Sequence, residues 1–130
     1  MSFPVKRVLV VEDSIPFRSL LRIVLESLGV DEIIEVRDGV EAIEALKTFD
    51  AELVVMDWMM TGMNGIECTR RIRASRAPNS DVPIVMVTAR DAAEDIQKAL
   101  EAGANAYISK PASMRRLFAG FMSAVAVPAT

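Results

Sequence analysis

The chain has 130 residues, 52% of them hydrophobic and 25% charged, which fits one globular domain with one core and excludes a disordered or low-complexity chain. Fifteen basic against eighteen acidic side chains leave a net charge of −3, which argues against a dedicated nucleic-acid binder. There is no histidine and a single cysteine, Cys68, so an internal disulfide, a zinc or haem ligand set and Ser–His or Cys–His catalysis are all excluded.

Val8-Leu9-Val10-Val11 is a short aliphatic block rich in β-branched residues and reads as a first strand. Phe17, Leu20, Leu21, Val24, Leu25 and Leu28 then recur at the spacing of one helix face. Ser14 is placed to cap that helix, and Gly29 suits the left-handed position just past its end. The alternation repeats. Ile33 to Val36 reads as strand two, and Asp38 caps a helix through Val40, Ile43 and Leu46. Leu53 to Met56 is strand three, followed by a glycine-containing loop and a helix from about Asn64 or Gly65 to Ser75. Pro83 to Val87 is strand four, with Pro83 at its entrance, where no ladder donor is needed. Asp91 caps a helix through Ile96 and Leu100 that stops at Gly103. Ala106 to Ile108 is a short strand five, and Ser113 opens a last helix with Met114, Leu117, Phe118 and Phe121 on its apolar face.

Five strand-then-helix units predict an α/β domain, a doubly wound five-stranded parallel sheet with helices on both faces. Strands one, three and four are wholly aliphatic, strand two carries Glu35, and strand five is short. The last two therefore belong at the edges, which fits the order 2-1-3-4-5. One domain over residues 1–130, with its core at about 6–123 and a fraying tail from Val125, is the expected organisation. No segment has the run of about 18 apolar residues of a membrane span, and the start has no signal-cleavage pattern, so a cytoplasmic domain is expected.

In an open parallel sheet, sites form beyond the carboxyl ends of the strands near the switch point. Strand one ends in Glu12 and Asp13, strand three in Asp57, strand four in Thr88 and Ala89, and strand five in Ser109, Lys110 and Pro111. Three carboxylates, a hydroxyl and an ammonium group thus converge. Crowded carboxylates repel unless a cation intervenes, and Mg²⁺, a hard ion that takes carboxylate and phosphate oxygens, suits the set. Lys110 offers a point charge to a phosphoryl oxygen, Thr88 a hydroxyl donor, and Asp57 is the natural nucleophile for an acyl phosphate. The chemistry implied is phosphoryl transfer onto Asp57.

These residues resemble the receiver domain of two-component response regulators. The resemblance rests on Val8-Leu-Val-Val-Glu12-Asp13-Ser14, on Asp57 followed by Met60 and Gly62-Met63-Asn64-Gly65, on Thr88-Ala89, and on Gly103-Ala-Asn-Ala-Tyr107-Ile-Ser-Lys110-Pro111. It implies the flavodoxin-like receiver fold, with Asp57 as phosphoacceptor. It also implies Glu12 and Asp13 as the acidic pair that holds Mg²⁺, with the backbone carbonyl of Met59 adding a metal oxygen. Thr88 and Tyr107 become the two switch residues, Lys110 the phosphate-contacting lysine, and the bond before Pro111 is cis. Two positions depart from the family pattern: Thr61 stands where proline is usual, and Glu12 replaces the commoner aspartate. Neither removes a required group.

A receiver is a signalling switch, not an enzyme beyond phosphoryl self-transfer and slow self-hydrolysis. Its expected partners are a sensor histidine kinase or histidine phosphotransfer protein. The expected target face comprises the fourth helix, strand five and the fifth helix. No direct contact with nucleic acid or membrane is expected, and the chain is a monomer or a phosphorylation-dependent dimer. A stand-alone chemotaxis-type regulator is the leading reading, with a phosphorelay shuttle or the receiver of a larger regulator, such as a transcription factor, as the alternative. A haloacid-dehalogenase-like phosphatase needs an acid two residues past the nucleophile, where this chain has Met59. A flavin-binding flavodoxin needs a hydroxyl-rich loop where Glu12 and Asp13 stand. Met59 and Arg90 flank the site and are placed to screen attacking water. Met56, Met59, Met60 and Met63 read as packing and loop residues rather than a metal cluster, Cys68 as inert, and Arg70, Arg71, Arg73 and Arg76 as a solvated helix face.

Overall fold

The computed structural model describes residues 3–125. Five strands form one parallel sheet, β1 (Arg7–Val11), β2 (Glu32–Val36), β3 (Leu53–Met56), β4 (Ile84–Thr88) and β5 (Ala106–Ser109). Between and after them run α1 (Ile15–Ser27), α2 (Gly39–Leu46), α3 (Gly65–Arg73), α4 (Ala93–Ala102) and α5 (Met114–Val125), with a 3₁₀ turn over Asn79–Asp81 before β4. The strand order is β2-β1-β3-β4-β5, the doubly wound order read from the sequence.

Side-chain alternation divides the core in two. Val8, Val10, Leu53, Val55, Val85, Val87 and Ile108 point to the layer of α1 and α5, where they meet Leu21, Val24, Leu25, Leu117 and Phe121. Leu9, Val11, Val54, Met56, Ile84 and Met86 point the other way, to Ala42, Leu46, Ile66, Ile72, Ala99 and Ala102 of α2, α3 and α4. Being covered twice is why β1, β3 and β4 read as unbroken aliphatic runs. At the β2 edge Glu35 turns toward α1 and meets Arg18 and Arg22.

Ser14, Asp38 and Asn64 accept hydrogen bonds from the amides of Phe17, Glu41 and Glu67 and cap α1, α2 and α3. Gly29 and Gly103 take the positive φ that ends a helix. Three expectations need correction. Asp91 does not cap α4. The N-cap is Ala92, with no side-chain bond, and Glu94 and Asp95 in the first turn meet the helix dipole instead. The third helix ends at Arg73, with Ala74 as its cap, two residues before Ser75. Arg73 is not solvated: its guanidinium donates to the carbonyls of Gly103 and Ser80 and to Asn105 Oδ1 at 2.9–3.0 Å, tying α3 to the start of β5. Arg70, Arg71 and Arg76 are exposed as expected. The fraying expected of the tail falls on residues 126–130, outside the described residues.

Candidate functional site

Parallel strands bring their carboxyl ends to one side, and the register sets which residues meet there. Val11 pairs with Met56 and Val36, so Glu12 and Asp57 emerge next to each other from β1 and β3. The Asp57 amide donates to the Val11 carbonyl and that of Glu12 to Val36, which holds both residues in line with the sheet. Thr88 pairs with Ser109, and the Lys110 amide donates to the Thr88 carbonyl, which sets Lys110 one residue beyond β5. The Lys110–Pro111 bond is cis. Behind Asp57, the start of α3 packs so closely that a Cβ on Gly65 would overlap the Asp57 carbonyl oxygen. Glycine there lets the helix abut the acceptor loop.

Carboxylate oxygens of Glu12, Asp13 and Asp57 all lie within 4.8 Å of one another. Glu12 and Asp57 are buried, while Asp13 is exposed. Lys110 Nζ donates to Glu12 Oε1 at 2.8 Å and lies 3.7 Å from Asp57 Oδ2. Its ammonium also sits over the Phe17 ring, 4.3 Å from its centre, a cation–π contact. The other Asp57 oxygen, Oδ1, accepts from the Met59 amide at 3.3 Å, and the Ser14 amide donates to Glu12 Oε2 at 3.0 Å. Burial, and then the charge of Glu12, push the Asp57 carboxyl up to about 7, against the pull of Lys110 in the other direction. One ammonium does not compensate three acids. The set therefore fits a divalent cation: hard oxygen donors only, in excess negative charge.

Thr88 is fully buried, and its Oγ1 accepts from the Arg90 amide at 3.3 Å. Tyr107 stands apart from the acids. Its ring packs on the α2–α3–α4 layer, and its hydroxyl is buried with no hydrogen-bond partner among the described residues. Met60 and Met63 pack on the same layer, and Met56 is buried in it, whereas Met59 is 55% exposed. Cys68 is buried, and burial pushes its thiol up to about 12, so it is inert. Beside Lys110, Ser14, Pro16, Phe17, Leu20, Pro111 and Ala112 line a largely apolar depression of about 510 Å³. Sequence reading had not singled out the contact of Phe17 with Lys110, nor Asp95, which pairs with Arg90. Phe17 carried a signal, being the first residue of the α1 apolar stripe and three past Ser14; Asp95 carried none.

The response regulator receiver domain profile matches residues 8–121. The chain belongs to this family. It is 40% identical over 106 residues to the chemotaxis protein CheY homolog of Campylobacter jejuni, covering 81% of each chain. It is also 40% identical over 114 residues to the DNA-binding response regulator MtrA of Mycobacterium tuberculosis, covering 88% of this chain and 48% of that one. Among solved structures it superposes on CheY4 of Vibrio cholerae with a TM-score of 0.85 at 26% identity, covering 93% of this chain and 99% of that one. The receiver domain of the sensor histidine kinase PA1611 from Pseudomonas aeruginosa, determined with a magnesium ion in its active-site cleft, superposes with a TM-score of 0.81 at 28% identity over 92% and 96% of the two chains. The protein is thus a CheY-like receiver domain of the two-component type. Among the described residues, no helix is long and apolar enough to cross a membrane.

Proposed function

We propose that this receiver is a phosphorylation-controlled switch whose acceptor is Asp57. The observation that carries the reading is the meeting of three carboxylates within 4.8 Å with one ammonium set between Glu12 and Asp57, at the carboxyl ends of the central strands. An Asp57 oxygen attacks the phosphorus of a phosphohistidine on a sensor kinase or phosphotransfer protein. The P–N bond breaks, its electron pair stays with the imidazole, and an acyl phosphate remains on Asp57. Glu12, Asp13, Asp57 and the Met59 carbonyl would hold Mg²⁺, which when bound neutralises the carboxylates and the charge spread over the phosphoryl oxygens. Lys110, already 3.7 Å from Asp57, is in reach of one of those oxygens, and the Thr88 hydroxyl of another. The apolar depression beside Lys110 offers the donor protein a seat next to the acceptor.

Turning Thr88 toward the phosphoryl group withdraws it from the Arg90 amide, so the β4–α4 loop and Tyr107 respond, and the α4–β5–α5 face changes for a target protein. The chain acts in the cytoplasm, as one receiver domain, without touching nucleic acid itself. Equal identity to a CheY homolog and to the receiver part of MtrA supports a stand-alone chemotaxis-type regulator and the receiver of a larger regulator alike. The test is intact mass after incubation with Mg²⁺ and acetyl phosphate, beside Asp57→Asn. One base-labile phosphoryl group on the wild type alone is expected. A label that persists in the variant would overturn the assignment.

A further inference from the structure

The ammonium of the acid cluster is held by more than acids. Lys110 Nζ donates to Glu12 Oε1 at 2.8 Å, lies 3.7 Å from Asp57 Oδ2, and stands over the Phe17 ring at 4.3 Å from its centre. The ring is partly buried against the core on the α1 and α5 side of the sheet. Ser14 places both of the groups that Lys110 touches. Its amide donates to Glu12 Oε2 at 3.0 Å, and its hydroxyl oxygen, capping α1, accepts from the Phe17 amide at 3.4 Å. Glu12, Ser14, Phe17 and Lys110 therefore form a closed circuit of contacts, each meeting the next.

A lysine head is a point charge with three N–H donors on a flexible four-carbon stem. Among the described residues it makes one side-chain hydrogen bond, the one to Glu12. A further carboxylate in place of the ring would draw the head aside and offset its charge. An aromatic face attracts an ammonium through its quadrupole but carries no formal charge, so it steadies the head and leaves the charge free to act elsewhere. Stabilising charge that develops on a phosphoryl group calls for a cation that is already in place and not neutralised. The α1 stripe does not itself require a ring: Leu20, Leu21, Val24 and Leu25 continue it, and Phe17 is the only aromatic residue in that helix.

We propose that Phe17 is a positioning residue for phosphoryl transfer: its ring face holds the Lys110 ammonium beside Asp57 without neutralising it. The proposal rests on the reading of Asp57 as phosphoacceptor and deepens it. Phe17 touches neither the acceptor nor the phosphoryl group in this role and acts through Lys110 alone.

The test follows phosphoryl uptake from acetyl phosphate with Mg²⁺ by intact mass over time, a donor too small to need a docking surface. Site-specific replacement of Phe17 by 4-fluoro- and 3,4,5-trifluorophenylalanine keeps the shape of the ring while withdrawing electron density from its face. The labelling rate should fall stepwise along the series, by about threefold to tenfold at the trifluoro ring, the scale of one partly desolvated cation–π contact. Phe17→Leu should lose at least as much. In a Lys110→Met background, where uptake is slower but measurable, the trifluoro ring should change the rate by less than about twofold, because the cation it acts on is gone. A rate that is flat along the series, or one that falls equally without Lys110, overturns the positioning role and leaves the phosphoacceptor reading standing. Uptake that persists in Asp57→Asn overturns both.

Discussion

The two ends of the sheet are built from the same strands and solve opposite problems. At the amino-terminal end polar groups close on one another. Glu52 Oε1 accepts from the amides of Lys6 and Arg7 at 2.8 and 3.0 Å. Asn105 Oδ1 accepts from the Ile84 amide and from Arg73, each at 2.9 Å, and Arg73 spends its other donors on two carbonyls. At the carboxyl-terminal end, three acids crowd around one lysine, a buried carboxyl is pushed up to about 7, and a tyrosine hydroxyl has no hydrogen-bond partner among the described residues. At one end the polar groups are paired with one another, while the other is left in excess charge that a bound cation and a phosphoryl group are suited to resolve. Uncompensated charge gathers at the end where chemistry is proposed.

Substitutions should respect this division. Asp57→Asn should abolish phosphoryl labelling altogether, read by intact mass. Lys110→Met should slow labelling by acetyl phosphate about a hundredfold, the scale of losing one charge-stabilising donor, in a time course of the adduct. Asn105→Ala should do the reverse of both. It leaves a buried amide and a guanidinium short of an acceptor and should cost about 2–3 kcal/mol in urea unfolding, yet leave the labelling rate of the folded protein within about twofold. A large loss of labelling in that variant would break the division.

The pH dependence of stability sharpens the same contrast. Asp57 has its carboxyl raised from 3.8 to about 7 by burial and by Glu12, so in the folded chain ionisation is disfavoured relative to the unfolded chain. With Mg²⁺ chelated, that group's contribution to stability is greatest below pH 4 and declines as the pH rises toward 7. Asp57→Asn should therefore gain on the wild type across that window, measured as the difference between the two unfolding midpoints at each pH. A constant difference from pH 4 to 7 would show that the site is not strained by its charge. The smallest effect is at the rim. Met59→Asn should shorten the life of the phosphorylated form severalfold, because an exposed amide can orient water where the 55% exposed methionine excludes it.

Most of the fold was legible because burial on both faces writes β1, β3 and β4 as aliphatic blocks, and Glu35 marks the β2 edge. The acid set was legible for a geometric reason: once strands are parallel, the residue after each strand lies at the same end. What sequence did not disclose depends on contacts between distant segments. Arg73 looks like any arginine on a charged helix until α3 is seen to lie against Gly103 and Asn105, about thirty residues on. Asp91 was the expected cap of α4 by residue type, but the helix begins after Ala92 and leaves it outside. Asp95 reads as a first-turn acid placed for the helix dipole, and only the fold puts Arg90 on one side of it and buries it. Periodicity reports which face is apolar, not which polar group on that face has found a partner.

The measurement that tests the division most directly is the rise in melting temperature on adding Mg²⁺, taken for wild type, Asp13→Asn and Asn105→Ala. The account predicts a clear rise in the wild type, almost none in Asp13→Asn, and a full-sized rise in Asn105→Ala from a lower starting temperature. A rise that survives Asp13→Asn, or one that vanishes with Asn105→Ala, would contradict it.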